Sequence, residues 1–312
     1  MKPLRLKVLD LSHRLPGPLA TKLLADLGAE VVKLEDEVAQ DPFLEGLFAQ
    51  FDPSFVDWYH ALNQQKRVVR LDFKANDAAA QVRPWVEWAD VILMGLGGKL
   101  QDRLGVRPEA VAQLAGPRVV LSMAASREGK GAMHDLNVLA ETGLLALHVA
   151  GAEHSPLAPP FLPVAGISFG QQTALNLLAL HQQAVVDNRC VISTVFMQEE
   201  TERALGPFRP TAEGQTMRTK FLHNGAYPCY CLYRTQDGNW LAVAAVEEKF
   251  WAEFAQLFGI KLDNRFATDP AAFAHVAQTV QARTTAELER LLENKDICVS
   301  VVRRPLAPGE QA

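Results

Sequence analysis

A histidine beside a carboxylate is the first feature of this 312-residue chain able to move a proton: Met133-His134-Asp135-Leu136-Asn137 opens an apolar helical run. The partial positive charge of a helix N-terminus disfavours imidazolium, which leaves His134 as a neutral general base with Asp135 beside it. The same residue types serve equally as helix caps, Asp135 and Asn137 above all. A second cluster, Gly95, Gly97, Gly98 and Lys99 in MGLGGK, follows a strand-like run, where bare backbone N–H groups and an ammonium can cradle a phosphate. Its spacing is neither GxGxxG nor a P-loop, and a tight strand-to-helix turn explains it as well. Third, Glu247-Glu248 follows LAVAAV and precedes the aromatic run KFWAEF, where a helix dipole stabilises carboxylates whether or not they do chemistry. No GxSxG or HExxH signature occurs, and the eight histidines show no ligand spacing. Cys190, Cys229, Cys231 and Cys298 form neither a disulfide framework nor a CxxC pair. Cys229 and Cys231, two apart, face one side of a strand and read as packing.

These groups need a scaffold, and the apolar periodicity supplies one. LRLKVLDL reads as a strand, LPGP as a turn, ATKLLADLG as a helix closed by Gly28 and AEVVKLE as a second strand, which together make a βαβ unit. VVRLDF, a helix from about Asn76 to Trp88, ADVILMGL, the helix RPEAVAQL and the strand PRVVLSM continue the alternation. Strands alternating with helices predict an α/β fold with a Rossmann-like parallel sheet. From His134 onward DLNVLAETGLLALHVA and FGQQTALNLLALHQQAVV read as long apolar helices, with the Pro-rich HSPLAPPFLP between them. After about Leu205, GPFRPTAEGQTMRTK reads as a linker. AYPCYCLYRTQDGNWLAVAAV reads as a hairpin turning at Asp237-Gly238, followed by helices at EKFWAEFAQLFG and TTAELERLLEN, a smaller α+β unit. The expected organisation is a large domain over 1–205, a linker over 206–219, a small domain over 220–302 and a tail over 303–312.

Composition narrows the function classes. With 48% hydrophobic and 21% charged residues the chain is globular, and 31 Lys+Arg against 36 Asp+Glu give a net charge of -5. That balance argues against broad binding to nucleic acid or anionic membrane and favours small-molecule or protein partners. No apolar run approaches the roughly 20 residues of a membrane span, and MKPLRLKVLDLSH reads as a strand rather than a signal. A soluble, cytoplasmic protein is expected.

The run VLDLSHRLPGPLATKLLADLGAEVVKLE closely resembles the N-terminal signature of the class III CoA-transferases, a family that includes the α-methylacyl-CoA racemases. The resemblance continues through LNQQKRVVRLDFK, ADVILMGLGGKLQDRLGV, PRVVLSM, MHDLN, PPFLPVAGISFG and GAYPCYCLYRTQDGNWLAVAAVEEKFW. It implies a Rossmann-like large domain linked to a small one, two chains interlocked as a homodimer, and CoA or acyl-CoA as substrate or ligand with no covalently bound cofactor and no metal. The racemase branch is the most similar: its proton-transfer histidine lies in a GHDxN segment matched by His134, Asp135 and Asn137, and its companion glutamate is matched by Glu247. The resemblance also implies CoA contacts at Leu15, Pro16, Lys66, Gly97, Gly98, Lys99 and Arg103.

This chain departs from that pattern. Gly166 stands where the family carries its catalytic aspartate, and glycine offers neither nucleophile nor acid. Asp36, Asn63-Gln64-Gln65-Lys66 and Gly95-Leu96-Gly97-Gly98-Lys99 stand where the family uses phosphate-binding arginines, each worth roughly 1.5–3 kcal/mol. The stretch after DICVSVV is short against the family's returning segment, which suggests an incomplete interlock. Two readings follow: racemase-like α-proton transfer on an acyl thioester through His134 and Glu247, with Asp135 the spatial candidate for the missing carboxylate, or an impaired homologue acting as ligand binder or as partner to a catalytic paralogue in a heteromer.

Overall fold

The computed structural model describes residues 3–128, 133–149, 156–209 and 220–303. Most of the expected linker, 210–219, and of the expected tail, 304–312, lie outside the described residues. The chain divides into two compact units, one drawn from Met1–Leu145 and Pro156–Phe208, the other from Ala146–Ser155 and Arg209–Ala312.

The first unit alternates strand and helix as the periodicity predicts. It runs β1 (Lys7–Leu11), α1 (Pro16–Asp26), β2 (Glu30–Asp36), α2 (Leu47–Phe51), α3 (Ser54–Asn63), β3 (Arg67–Leu71), α4 (Ala78–Trp88) and β4 (Val91–Met94). It continues through α5 (Gly98–Leu104), α6 (Pro108–Val111), β5 (Arg118–Ala124), α7 (Asp135–Glu141), α8 (Leu145–Val149), α9 (Val164–Asp187), β6 (Cys190–Phe196) and α10 (Met197–Leu205), the residues of α8 after Leu145 falling to the second unit. The strands pair in parallel in the order β3-β2-β1-β4-β5-β6. Both faces are covered, so the central strands are apolar on both sides. Along β4, Val91 and Leu93 pack with Leu24 and Leu177 from α1 and α9, while Ile92 and Met94 pack with Val82 and Leu104 from α4 and α5.

Two of the departures from the sequence reading fall late in this unit. The helix expected over 135–150, whose last residue lies outside the described residues, is broken, because Gly143 takes φ +74° and ends the first piece after a single short run. CVISTVF is a sixth strand, and MQEETERAL a helix after it, in a stretch where no element was expected.

In the second unit β7 (Tyr230–Arg234), β8 (Trp240–Ala244) and β9 (Val299–Val301) form an antiparallel sheet. Gly238, at φ +86°, supplies the left-handed turn residue of the expected hairpin. Helices α11 (Glu248–Phe258), α12 (Pro270–Gln281) and α13 (Thr285–Leu292) bury Trp251, Phe254, Val276 and Leu288 against it. Cys229 is in this core and Cys231 packs against it. No helix among the described residues is long and apolar enough to cross a membrane.

Candidate active site at the ends of the parallel strands

Parallel sheets leave a crevice beyond the carboxyl ends of their strands where the winding direction reverses, here between β1 and β4. A cavity of about 430 Å³ opens there, within the first unit. Ser12 and Gly95 follow β1 and β4 at its floor, Leu15 and Pro16 enter from the start of α1, and His134, Asp135 and Gly166 come from the starts of α7 and α9.

His134 is the exposed N-cap residue of α7, its backbone N–H bonded to Asn137 Oδ1 at 3.1 Å. Asn137 is thus a cap, as its type suggests. Asp135 caps a different helix: its Oδ1 accepts the Gly166 N–H at 2.8 Å, at the first turn of α9. Burial raises the Asp135 carboxyl above the ordinary aspartate range, outweighing the Gly166 and Ala165 N–H groups that favour its anion. A Cβ added at Gly166 would lie 3.8 Å from Asp135 Oδ1 and 3.0 Å from Leu15 Cδ2. The space beside Gly166 therefore already holds a carboxylate, supplied by a neighbouring helix.

The loop between β1 and α1 is held from below by buried charge. Asp10 and Lys33 are register partners on β1 and β2, both fully buried. Asp10 accepts from the Ser12 N–H at 3.0 Å, the Ser12 hydroxyl at 2.5 Å and the Thr21 hydroxyl at 2.5 Å. Burial by itself raises the Asp10 carboxyl, but Lys66, Lys33 and the two hydroxyls together bring it down to about 2. Lys66 Nζ lies 3.2 Å from Asp10 Oδ2 and donates to Pro18 O at 2.8 Å and Asn63 Oδ1 at 2.9 Å. Lys33 Nζ donates to Ser12 O at 2.5 Å, and Asp41 accepts the Arg14 N–H at 3.0 Å. Arg14 itself takes φ +65°.

A family model described as CoA-transferase family III matches residues 5–307. The chain belongs to CoA-transferase family III. Human "alpha-methylacyl-CoA racemase" is 26% identical over 314 residues, covering 95% of this chain and 76% of the relative. "Succinyl-CoA--D-citramalate CoA-transferase" of Chloroflexus aurantiacus is 26% identical over 287 residues, covering 87% of this chain and 69% of the relative. Among solved structures, a CAIB/BAIF family protein from Brucella suis superposes with a TM-score of 0.77 at 19% identity, covering 96% of this chain and 83% of the other. That likeness speaks to the fold.

In this member of CoA-transferase family III the cavity unites His134, Asp135, Leu15 and Pro16, with Gly166 on its wall. Lys66 is enclosed beneath the loop rather than lining the cavity, its ammonium given to Asp10. Gly97 and Gly98 begin α5 with Lys99 exposed beside them, and the Arg103 guanidinium donates to Lys74 O; none of the four lines the cavity. Glu247 is the exposed N-cap residue of α11 in the second unit, and its neighbour Glu248 pairs with Arg265. Among the described residues no metal-binding group of His, Cys, Asp and Glu assembles.

Sequence reasoning missed one wall. Phe43, Phe48, Phe55 and Trp58 line the cavity from a segment, 37–61, to which no element was assigned. Its signal was an aromatic cluster without a clean helical or strand period; α2 and α3 are short, and two prolines and five acidic residues interrupt the apolar positions.

Proposed function

We propose that the protein binds acyl-CoA thioesters and exchanges the proton on the carbon next to the thioester carbonyl. One observation carries this reading: in a CoA-transferase family III chain whose Gly166 lacks a carboxylate, Asp135 Oδ1 stands 3.8 Å from where that side chain would begin, in the cavity that His134 lines. A thioester acidifies its α-carbon. The His134 imidazole takes the α-proton, the electron pair moves onto the thioester oxygen as an enolate, and the Asp135 carboxyl, kept protonated more readily by burial, returns a proton to carbon. Glu247 enters this scheme by the family resemblance alone.

The test is proton NMR in deuterated water with 2-methylpropanoyl-CoA. Loss of the α-proton signal is expected, with His134→Ala abolishing it and Asp135→Asn slowing it by roughly 10²–10⁴. Asn keeps an acceptor for the Gly166 N–H, so the helix start should survive. Glu247→Gln in the same assay reads that residue. A folded parent protein that leaves the α-proton untouched at millimolar thioester overturns the reading.

We also propose a cytoplasmic homodimer, with a large domain over 1–205, a linker over 206–219, a small domain over 220–302 and a tail over 303–312. CoA contacts are proposed at Leu15, Pro16, Gly97, Gly98, Lys99 and Arg103. Lys66 we assign to holding the loop between β1 and α1.

A further inference from the structure

The aromatic wall carries a statement about the acyl group itself. Phe43, Phe48, Phe55 and Trp58 form one contact cluster: Phe43–Phe48 at 5.6 Å between ring centroids, Phe43–Phe55 at 4.7 Å, Phe48–Phe55 at 5.3 Å and Phe55–Trp58 at 5.4 Å. All but the Phe43–Phe55 pair are edge-to-face, with interplanar angles of 66–71°. Only Phe43 is buried; Phe48, Phe55 and Trp58 stay half-exposed along the cavity, and α2 buries none of its residues. A cluster serving only as core would hide its rings. Here ring surface is kept on the wall of a cavity, while Met123, Met133 and Met197 contribute thioethers to the same lining.

We infer that the acyl group this cavity takes carries an aromatic ring. The inference rests on the proposed handling of acyl thioesters and narrows its substrate class. Ring edges and faces gain from a further ring at 4.5–7 Å beyond what area burial gives, and methionine sulfur gains likewise. A saturated ring of the same size gains only from burial. The Arg14 guanidinium lies 5.5 Å over the Phe48 ring and helps to hold it on the wall.

The experiment compares two thioesters of one chain length and ring size, 3-phenylpropanoyl-CoA and 3-cyclohexylpropanoyl-CoA, with binding read by calorimetry and α-proton exchange by NMR. The phenyl compound should bind about tenfold more tightly although the cyclohexyl compound is the more apolar. Trp58→Leu and Phe55→Leu should each erode the preference for the phenyl compound in the same calorimetric comparison. Equal or tighter binding of the cyclohexyl compound overturns the aryl assignment, and since it compares two ligands on the unmodified protein, it needs no variant to fold. Exchange on these two thioesters and on 2-methylpropanoyl-CoA without a phenyl preference leaves the proton-transfer reading standing and removes this one. A phenyl preference with no exchange on any thioester does the reverse. Absence of binding by either ring compound at millimolar concentration overturns it too.

Discussion

Asp135 sits between two tasks, capping α9 through the Gly166 N–H at 2.8 Å and facing the cavity beside His134. The substitution Gly166→Asp probes both. Gly166 is not in the left-handed region, and the added Cβ meets the flexible tip of Leu15 at 3.0 Å, so the fold should tolerate it. The new carboxylate would start 3.8 Å from Asp135 Oδ1, and like charges at that range raise the pKa of the pair. Carboxyls with raised folded-state pKa values contribute stability at low pH that is lost as pH rises. The variant should therefore lose about 1–2 kcal/mol relative to the parent between pH 5 and pH 8, read as the shift in urea midpoint at each pH. An equal penalty at both values would show that the carboxylates do not meet. In the sequence, His134 and Asp135 were legible as proton-handling types and Asp135 as the spatial candidate for the missing carboxylate, but its hold on the Gly166 N–H was not legible. Its partner lies 31 residues away, and no local pattern encodes that.

At the scale of elements, the parallel sheet was legible because strands covered on both faces leave continuous apolar runs bounded by Gly and Pro. CVISTVF escaped that logic. Burial along it reads half-buried, buried, exposed, half-buried, exposed, buried, half-buried, as an edge strand of the sheet allows. The break at Gly143 escaped because a glycine between apolar residues can continue a helix or end it. Nor does sequence reveal that Lys66, in a family-like phosphate segment, reaches back under the sheet to Asp10. Removing one partner of a fully buried pair strands the other. Lys66→Met should cost about 3–5 kcal/mol in urea unfolding, and adding Asp10→Leu should recover part of that loss, since an apolar pair of similar volume needs no desolvation. Simple additivity of the two substitutions would refute the coupling. The low Asp10 pKa sets the matching acid limb. A carboxyl near 2 in the folded protein and near 4 unfolded contributes stability above that range, and loses it as pH falls from about 4 toward 2.

For the whole molecule, the two compact units correspond to two different hydrophobic cores, one doubly covered parallel sheet and one small antiparallel sheet backed by helices. The change of periodicity after residue 205 is the sequence signal of a second unit, and nothing in the sequence marks Ala146–Ser155 as part of it. The proposed dimer rests on the resemblance alone, because an interface between copies leaves no period in the chain. Light scattering should give a particle of about twice 34.3 kDa, and a monomer would remove the dimer proposal. The loop over Ser12–Pro16 adds a consequence of another kind. Lys33, Asp10 and Asp41 fix its backbone at Ser12 and at Arg14 through groups of the protein itself. The conformational entropy of that stretch is given up when the chain folds rather than when a thioester arrives. Association can then approach the speed of rigid partners, since this stretch need not be ordered first.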